Sequence, residues 1–170
     1  VLIALSQFQI TLLSVNSKYD AIRQGVGVFS EQEKKGYHLF LEHCNSCHKE
    51  PLFFENKYEN NGLKVDTFLN DFGRWNITKV SRDSLKFKTP SLRNLSYTKP
   101  YMHDGRFNTL NKVLNHYSNE VVLNNNLAPS LKKGISLSAE DKVDLIAFLL
   151  TLNDQKFTLN KKHKNPNIYP

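Results

Sequence analysis

A chain of 170 residues has the length of one domain, or of one domain with long extensions, at about 100–200 residues per domain. Its hydrophobic share is 39%, and exchanging the 7 Tyr for the 7 Gly leaves it there, below the roughly 45–50% of globular domains counted that way, so the polypeptide core is thin. The net charge of +7 raises nucleic acid as a partner, but the lysines are scattered and form neither a basic helix nor an aromatic-interleaved stripe, which excludes that class.

Residues 1–13 read VLIALSQFQITLL. The run is too short for the roughly 20 apolar residues of a membrane span. Ser6, Gln7, Gln9 and Thr11 interrupt it and no basic residue precedes it, which argues against a signal peptide. Leu2, Leu5, Phe8 or Gln9, and Leu12 recur at helical spacing, predicting an amphipathic helix that closes near Ser17, needs a partner surface and has its start cut away. Residues 16–27, with Asp20, Gly25 and Gly27, read as a loop with at most a turn of helix. Ser30-x-x-Glu33 is a capping box opening a helix through Lys34, Tyr37, Phe40 and Leu41 that delivers Cys44 at its far end.

From Pro51 to Asn76 no period is sustained, which predicts a long irregular segment draped over another group. Asp71-Phe72-Gly73 copies a kinase metal-binding triplet without its glycine-rich loop or His-Arg-Asp, and Asn76-Ile77-Thr78 is a bare glycosylation triplet; neither carries weight. Lys88-Thr89-Pro90-Ser91-Leu92-Arg93-Asn94 ends a short strand and leads into a dense polar loop, Thr98 to Phe107. Thr109 caps a helix with Leu110, Val113, Leu114 and Tyr117 on one face. Ser138-x-x-Asp141 opens the last helix, with Val143, Ile146, Ala147 and Leu150, before a lysine-rich tail from Lys161 to Pro170. There is no internal repeat.

The densest chemistry lies in Cys44-Asn45-Ser46-Cys47-His48, which spells Cys-x-x-Cys-His, the attachment signature of a c-type haem. Thiols three residues apart on a helical turn share a face and can reach neighbouring vinyl groups at one porphyrin edge, with His48 as the proximal iron ligand. A zinc site that borrows His103 and His116, or a redox dithiol, are the alternatives; the first lacks a second paired motif and the second lacks a βαβ setting. With both cysteines used, no disulfide can form within the haem-bound chain. A buried porphyrin supplies the missing apolar surface, so the apoprotein is expected to be weakly folded or unfolded. For the sixth iron position, Met102 is the only Met, and a His/Met pair raises the reduction potential.

With these residues in hand, the chain resembles the carboxy-terminal haem domain of the bacterial di-haem cytochrome c peroxidase and MauG family. The resemblance is carried by Gln7-Phe8 to Asn16-Ser17-Lys18-Tyr19-Asp20, the haem motif, Gly73-Arg74, Thr89-Pro90-Ser91-Leu92-Arg93-Asn94, Pro100-Tyr101-Met102-His103-Asp104-Gly105 and the last helix. It implies an all-α, cytochrome c-like helical domain with long irregular loops around one c-type haem. Residues 1–29 are expected as a truncated helix and linker, 30–155 as the haem domain and 156–170 as a tail.

The family carries two haems. The resemblance therefore implies an absent amino-terminal domain holding a second, peroxide-reacting haem, with this chain a fragment that feeds it electrons. The intact protein would reduce hydrogen peroxide or oxidise a protein partner. It also implies a small electron-donor protein such as a cytochrome c, with a homodimer as a further option, and the haem c motif points to periplasmic localisation. Aligned through Leu92-Arg93-Asn94 and His103-x-Gly105, Met102 falls where family members also carry Phe, while Tyr117 occupies the position of the ligand Tyr of MauG-type proteins; the resemblance thus favours Tyr117 over Met102. Thr98 and Pro100 match positions whose carbonyls help to bind an inter-domain Ca²⁺. Arg74, Arg93 and His103 are expected to contact haem propionates. A free-standing mono-haem carrier and a metal-stabilised binding module are the competing functions.

Overall fold

The computed structural model describes residues 1–163. Its elements are α1 (Leu2–Thr11), α2 (Lys18–Arg23), α3 (Glu31–His43), β1 (Tyr58–Glu59), α4 (Trp75–Thr78), β2 (Phe87–Lys88), α5 (Leu110–Asn115), α6 (Ala139–Leu150) and α7 (Gln155–Thr158). Helices dominate, as expected of a cytochrome c-like domain. The reading as all-α is corrected in one place, because β1 and β2 form a short antiparallel ladder pairing Tyr58 with Lys88 and Glu59 with Phe87.

Helices α3 and α6 form the centre. Each begins at a reciprocal capping box, Ser30 with Glu33 and Ser138 with Asp141, so the first-turn N–H groups are satisfied before any tertiary contact is made. They cross at Gly36, where a methyl group would lie 1.9 Å from the Asp144 carbonyl oxygen and 2.9 Å from the Phe148 Cβ. Only a residue without a side chain lets the backbones meet there. Around the crossing, Phe148 is fully buried and its ring lies 5.1–6.4 Å, centroid to centroid, from those of Tyr19, Phe29, Tyr37, Phe40 and Phe53. Leu114, Leu145, Leu149 and Leu152 complete this core, and Cys44 packs at its border.

The amino-terminal segment is not a linker throughout. Residues 16–27, expected as a loop with a turn of helix at most, contain the six-residue α2, which opens at a Ser17/Asp20 capping box whose acidic partner is Asp rather than the commoner Glu. Tyr19 is buried in the core and its N–H donates to the Thr151 carbonyl at 3.1 Å. Buried Asp154 ties the two ends of the chain together. Its carboxylate accepts from the Asn16 N–H (2.9 Å), the Ser14 hydroxyl (3.3 Å) and the Phe157 N–H (2.9 Å), which also caps α7. Residues 155–158 thereby continue the domain past the start expected for the tail; the tail beyond residue 163 lies outside the described residues.

Helix α1 ends at Thr11 rather than near Ser17, and its apolar residues are spread around the helix instead of along one stripe. Leu2, Ile3, Leu5, Phe8 and Ile10 are all exposed. The segment expected to be irregular from Pro51 delivers one strong anchor, Phe53, which is wholly buried between Tyr19 and Phe40.

Gly36→Ala tests the crossing. Ala gains about 1 kcal/mol of helix propensity over Gly, but the methyl group strikes backbone, and overpacking of this kind costs about 1–3 kcal/mol or more. With the clash against backbone at the upper end of that range, a net loss of about 1–2 kcal/mol in urea unfolding is expected.

Candidate functional site

The Cys-x-x-Cys-His motif begins where α3 stops: Cys44 is the residue that closes the helix, and the chain turns at once, with the N–H groups of Cys47 and His48 donating to the Cys44 carbonyl at 3.1 and 2.9 Å. Both thiols are free. Burial, with some help from neighbouring Cys47, pushes the Cys44 thiol up to about 12, so it is held protonated. A redox dithiol needs the opposite, a thiol lowered toward neutrality.

His48 is set by a backbone acceptor. Its Nδ1 lies 3.1 Å from the Pro90 carbonyl oxygen. Because a carbonyl can only accept, Nδ1 carries the proton and Nε2 keeps its lone pair for a metal. Burial lowers the imidazole below its usual value, opposed by the Pro90 and Phe53 carbonyls, and this keeps the ring neutral.

The Thr89–Asn94 segment is the strap that supplies this acceptor, and nearly every polar group in it has a task. The Ser91 hydroxyl donates to the Leu52 carbonyl (2.7 Å), and the Leu92 N–H to the Phe53 carbonyl (3.1 Å). The Asn94 N–H reaches the Leu152 carbonyl at 3.3 Å, and its side chain bonds the Asp154 N–H and the Ser14 hydroxyl. Arg93 pairs bidentately with Asp20 at 2.8 and 2.7 Å and donates again to the Pro51 carbonyl at 2.9 Å. Its Nε is buried without a partner among the described residues.

A second wall comes from the loop after β1 and from the end of α5. Helix α5 runs without a break into a π-helical turn, His116–Glu120, that carries Tyr117. Such turns often mark functional positions. Tyr117 is half-buried against Leu127, Ala128, Leu131 and Ile135. Its hydroxyl is pushed up to about 12 by burial, with the Asn61 amide opposing and the Cys44 and Cys47 sulfurs close enough to add to the rise. Met102, in the left-handed backbone region at φ 73°, reaches this wall through its sulfur, which accepts from the Asn61 Nδ2 at 3.5 Å. Sequence reasoning missed Asn61, whose carbonyl accepts from the His116 Nε2–H at 3.0 Å, and considered His116 only as a zinc ligand; a lone Asn in a polar run carries no signal of its own.

The other expected residues are placed as follows. Arg74 donates from Nε to Asp83 (3.2 Å) and lies over the Tyr58 ring at 4.3 Å. His103 stacks on Phe87 with centroids 3.7 Å apart. Thr98 and Pro100 are exposed on the loop after Leu95–Tyr97. His103 and His116 do not join the cysteines, and among the described residues no group of three or more His, Cys, Asp or Glu side chains gathers to hold a metal. The zinc alternative has no geometry behind it. The donors present fit a covalently attached haem: two free thiols on one turn and an imidazole with its Nε2 lone pair kept available, with a phenol and a thioether on the neighbouring wall as candidates for a further ligand.

No family model matches the chain. Among curated proteins, cytochrome c peroxidase Ccp of Escherichia coli is 34% identical over 157 residues, covering 88% of this chain and 31% of the relative. The methylamine utilization protein MauG of Methylorubrum extorquens is 36% identical over 157 residues, covering 88% of this chain and 42% of the relative. The chain thus spans less than half the length of these relatives. Among solved structures, a MauG-like protein associated with microbial copper homeostasis superposes with a TM-score of 0.79 at 30% identity, over 90% of this chain and 52% of that one. The diheme peroxidase BthA of Burkholderia thailandensis, at 22% identity, shares the fold with a TM-score of 0.65 over 83% of this chain and 47% of its own.

The Arg93–Asp20 pair, with side chains 8% and 12% exposed, gives a pH prediction. Burial alone would raise the Asp20 carboxyl, but the hydrogen bonds and charge of Arg93 and Ser17 outweigh it and hold it below the usual carboxylate value. A depressed carboxylate stabilises the fold above its unfolded value of about 3.9 and loses that contribution as pH falls through its lower folded value. Acid unfolding followed by circular dichroism should therefore show a shallower low-pH limb in Asp20→Asn. Arg93→Ala, which strands a buried carboxylate, should cost about 3–5 kcal/mol at neutral pH.

Proposed function

This chain is a homologue of the di-haem cytochrome c peroxidases and MauG proteins, and from that relationship we propose that it is the carboxy-terminal, electron-transferring haem domain of such a protein. The observation that carries the reading is the turn at the end of α3 that holds Cys44, Cys47 and a His48 whose tautomer is set by Pro90. Cys44 and Cys47 would hold the porphyrin as thioethers, and His48 would present Nε2 to the iron. Tyr117 is the favoured sixth ligand, and Met102 the alternative. Bound haem c supplies one-electron chemistry; the protein supplies axial ligands, burial and hydrogen bonds that set its potential.

Two protein ligands would leave this haem closed to peroxide, and a second haem in an amino-terminal domain would supply the peroxide chemistry. The intact protein is then a peroxidase or a MauG-type oxidase supplied by a small donor such as a cytochrome c, working in the periplasm where c-type haem is attached. Exposed α1, lined by Leu2, Ile3, Leu5 and Phe8, is the surface that this second domain covers. No helix among the described residues is long and apolar enough to cross a membrane. Arg93, with its spare buried Nε–H, Arg74 and His103 belong to the propionate side of the proposal, and Thr98 and Pro100 to an inter-domain Ca²⁺.

Expression with a c-type maturation system should yield covalent haem by the pyridine haemochrome test, and a chain without it defeats the proposal. His48→Ala should keep the thioethers but alter the ferric spectrum; an unchanged low-spin spectrum rejects His48 as ligand. Tyr117→Phe should turn the ferric haem toward high spin, whereas Met102→Leu leaves it nearly intact. The haem-loaded chain alone should show negligible hydrogen peroxide turnover with a reduced cytochrome as donor.

A further inference from the structure

The Cys-x-x-Cys-His turn belongs to a closed circuit of contacts. The Cys47 sulfur lies 3.9 Å from the Ser130 hydroxyl oxygen. The stretch leading to Ser130 is tied to the end of β1, where the Ala128 N–H donates to the Asn60 carbonyl at 2.9 Å. Beside β1 the Lys57 carbonyl accepts the Thr89 N–H at 3.0 Å, and the next residue, Pro90, returns the circuit to His48 at 3.1 Å.

Every stretch of this circuit carries an exposed lysine: Lys49 on the motif turn, Lys57 beside β1, Lys88 on β2, and Lys132 and Lys133 just after Ser130. The carboxylates on the same stretches do little to cancel them. Glu50 accepts from the hydroxyls of Tyr19 (2.5 Å) and Tyr37 (3.0 Å), and Glu55 is paired with Lys57 at 2.9 Å. Glu59 is left against Lys49, Lys88, Lys132 and Lys133, none of which has an ion-pair partner among the described residues. Apolar surface accompanies the charge, since Tyr58 of β1 and Leu52, whose carbonyl is held by the Ser91 hydroxyl, are exposed on the same circuit.

We propose that this lysine circuit is the docking face for the domain's electron-transfer partner, and that the partner is a small redox protein whose contact face is acidic. This rests on the reading of the chain as an electron-transferring haem domain. A partner has to approach the attachment motif closely to exchange an electron, and apolar surface rimmed by charge is the usual anatomy of a protein contact. Exposed, unpaired cations add little to affinity, but they orient and speed the encounter with a partner of opposite charge, by about 10–10³-fold where the field is focused. The net charge of +7 acts in the same direction. A basic partner would be repelled by the same lysines.

The test mixes the reduced, haem-loaded chain with oxidised plastocyanin, an acidic probe, or with oxidised mitochondrial cytochrome c, a basic one, in stopped flow; one electron passes from the haem to the probe through the same docked complex that serves the reverse direction. Transfer to plastocyanin should slow as salt rises, and transfer to the cytochrome should quicken. Lys49→Glu and Lys132→Glu should each slow the plastocyanin reaction at low salt, together by about tenfold. Lys34→Glu, an equal charge change on the first turn of α3 and about 15 Å along the helix from Cys44, should slow it far less. Carbodiimide, which joins amines to carboxylates, should link plastocyanin to lysines of the circuit. Equal slowing by Lys34→Glu, cross-links confined to other lysines, or a faster reaction with the basic cytochrome overturns the proposal. So does loss of co-sedimentation with anionic phospholipid vesicles in the Lys49→Glu, Lys132→Glu double variant at unchanged plastocyanin rates, which would make the face a membrane contact. A chain that takes up no covalent haem overturns the electron-transfer reading itself, and the docking face with it, a distinct failure.

Discussion

The contact of α3 with α6 at Gly36 is the constraint on which the site depends. Helix α3 carries Cys44 at its last turn, so the angle and depth at which α3 meets α6 decide where the thiols stand. A side chain at Gly36 would hold the helices apart at Asp144 and Phe148, and the displacement would pass along a rigid helix to its end. Phe40 and Phe148, both fully buried, then fill the space that the close approach defines.

The strap from Thr89 to Asn94 converts this helix pair into a site. It binds the loop after the cysteines through Leu52 and Phe53, the amino-terminal segment through Asp20 and Ser14, and the chain beyond α6 through Leu152 and Asp154. Pro90 offers its carbonyl to His48 from the middle of this segment. The imidazole is thereby oriented by a backbone group that several independent hydrogen bonds hold still. A metal-binding histidine commonly depends on such an outer partner.

Polar groups also build the second wall, but with less regular backbone. Helix α5 widens into the π-helical turn at His116–Glu120, and Met102 adopts a positive φ that non-glycine residues rarely take. Strained or uncommon backbone persists only where the surroundings over-determine it. Here the surroundings are His116 against Asn61 and the tight loop at Gly62. His48 is set by a strap and the Tyr117 wall by a turn and a loop, so the two can be altered separately.

Local chemistry was sufficient to determine a good part of this protein. The capping boxes at Ser30 and Ser138 and the cap at Thr109 operate within one turn of helix, so spacing alone located the starts of α3, α5 and α6. Cys44, Cys47 and His48 could be singled out for the same reason, since the Cys-x-x-Cys-His spacing spans one turn. The Ser17 box was equally local but passed unread among loop residues. What spacing could not contain was contact between distant residues. Phe53 became core because Tyr19 and Phe40 close over it, and α1 stayed exposed because its apolar residues make no stripe. Asn61 gained its place only when β1, the Met102 loop and the π-turn were brought together. Hydrogen bonds across such separations are decided by the packed fold, because no residue pattern along the chain records which donors will meet.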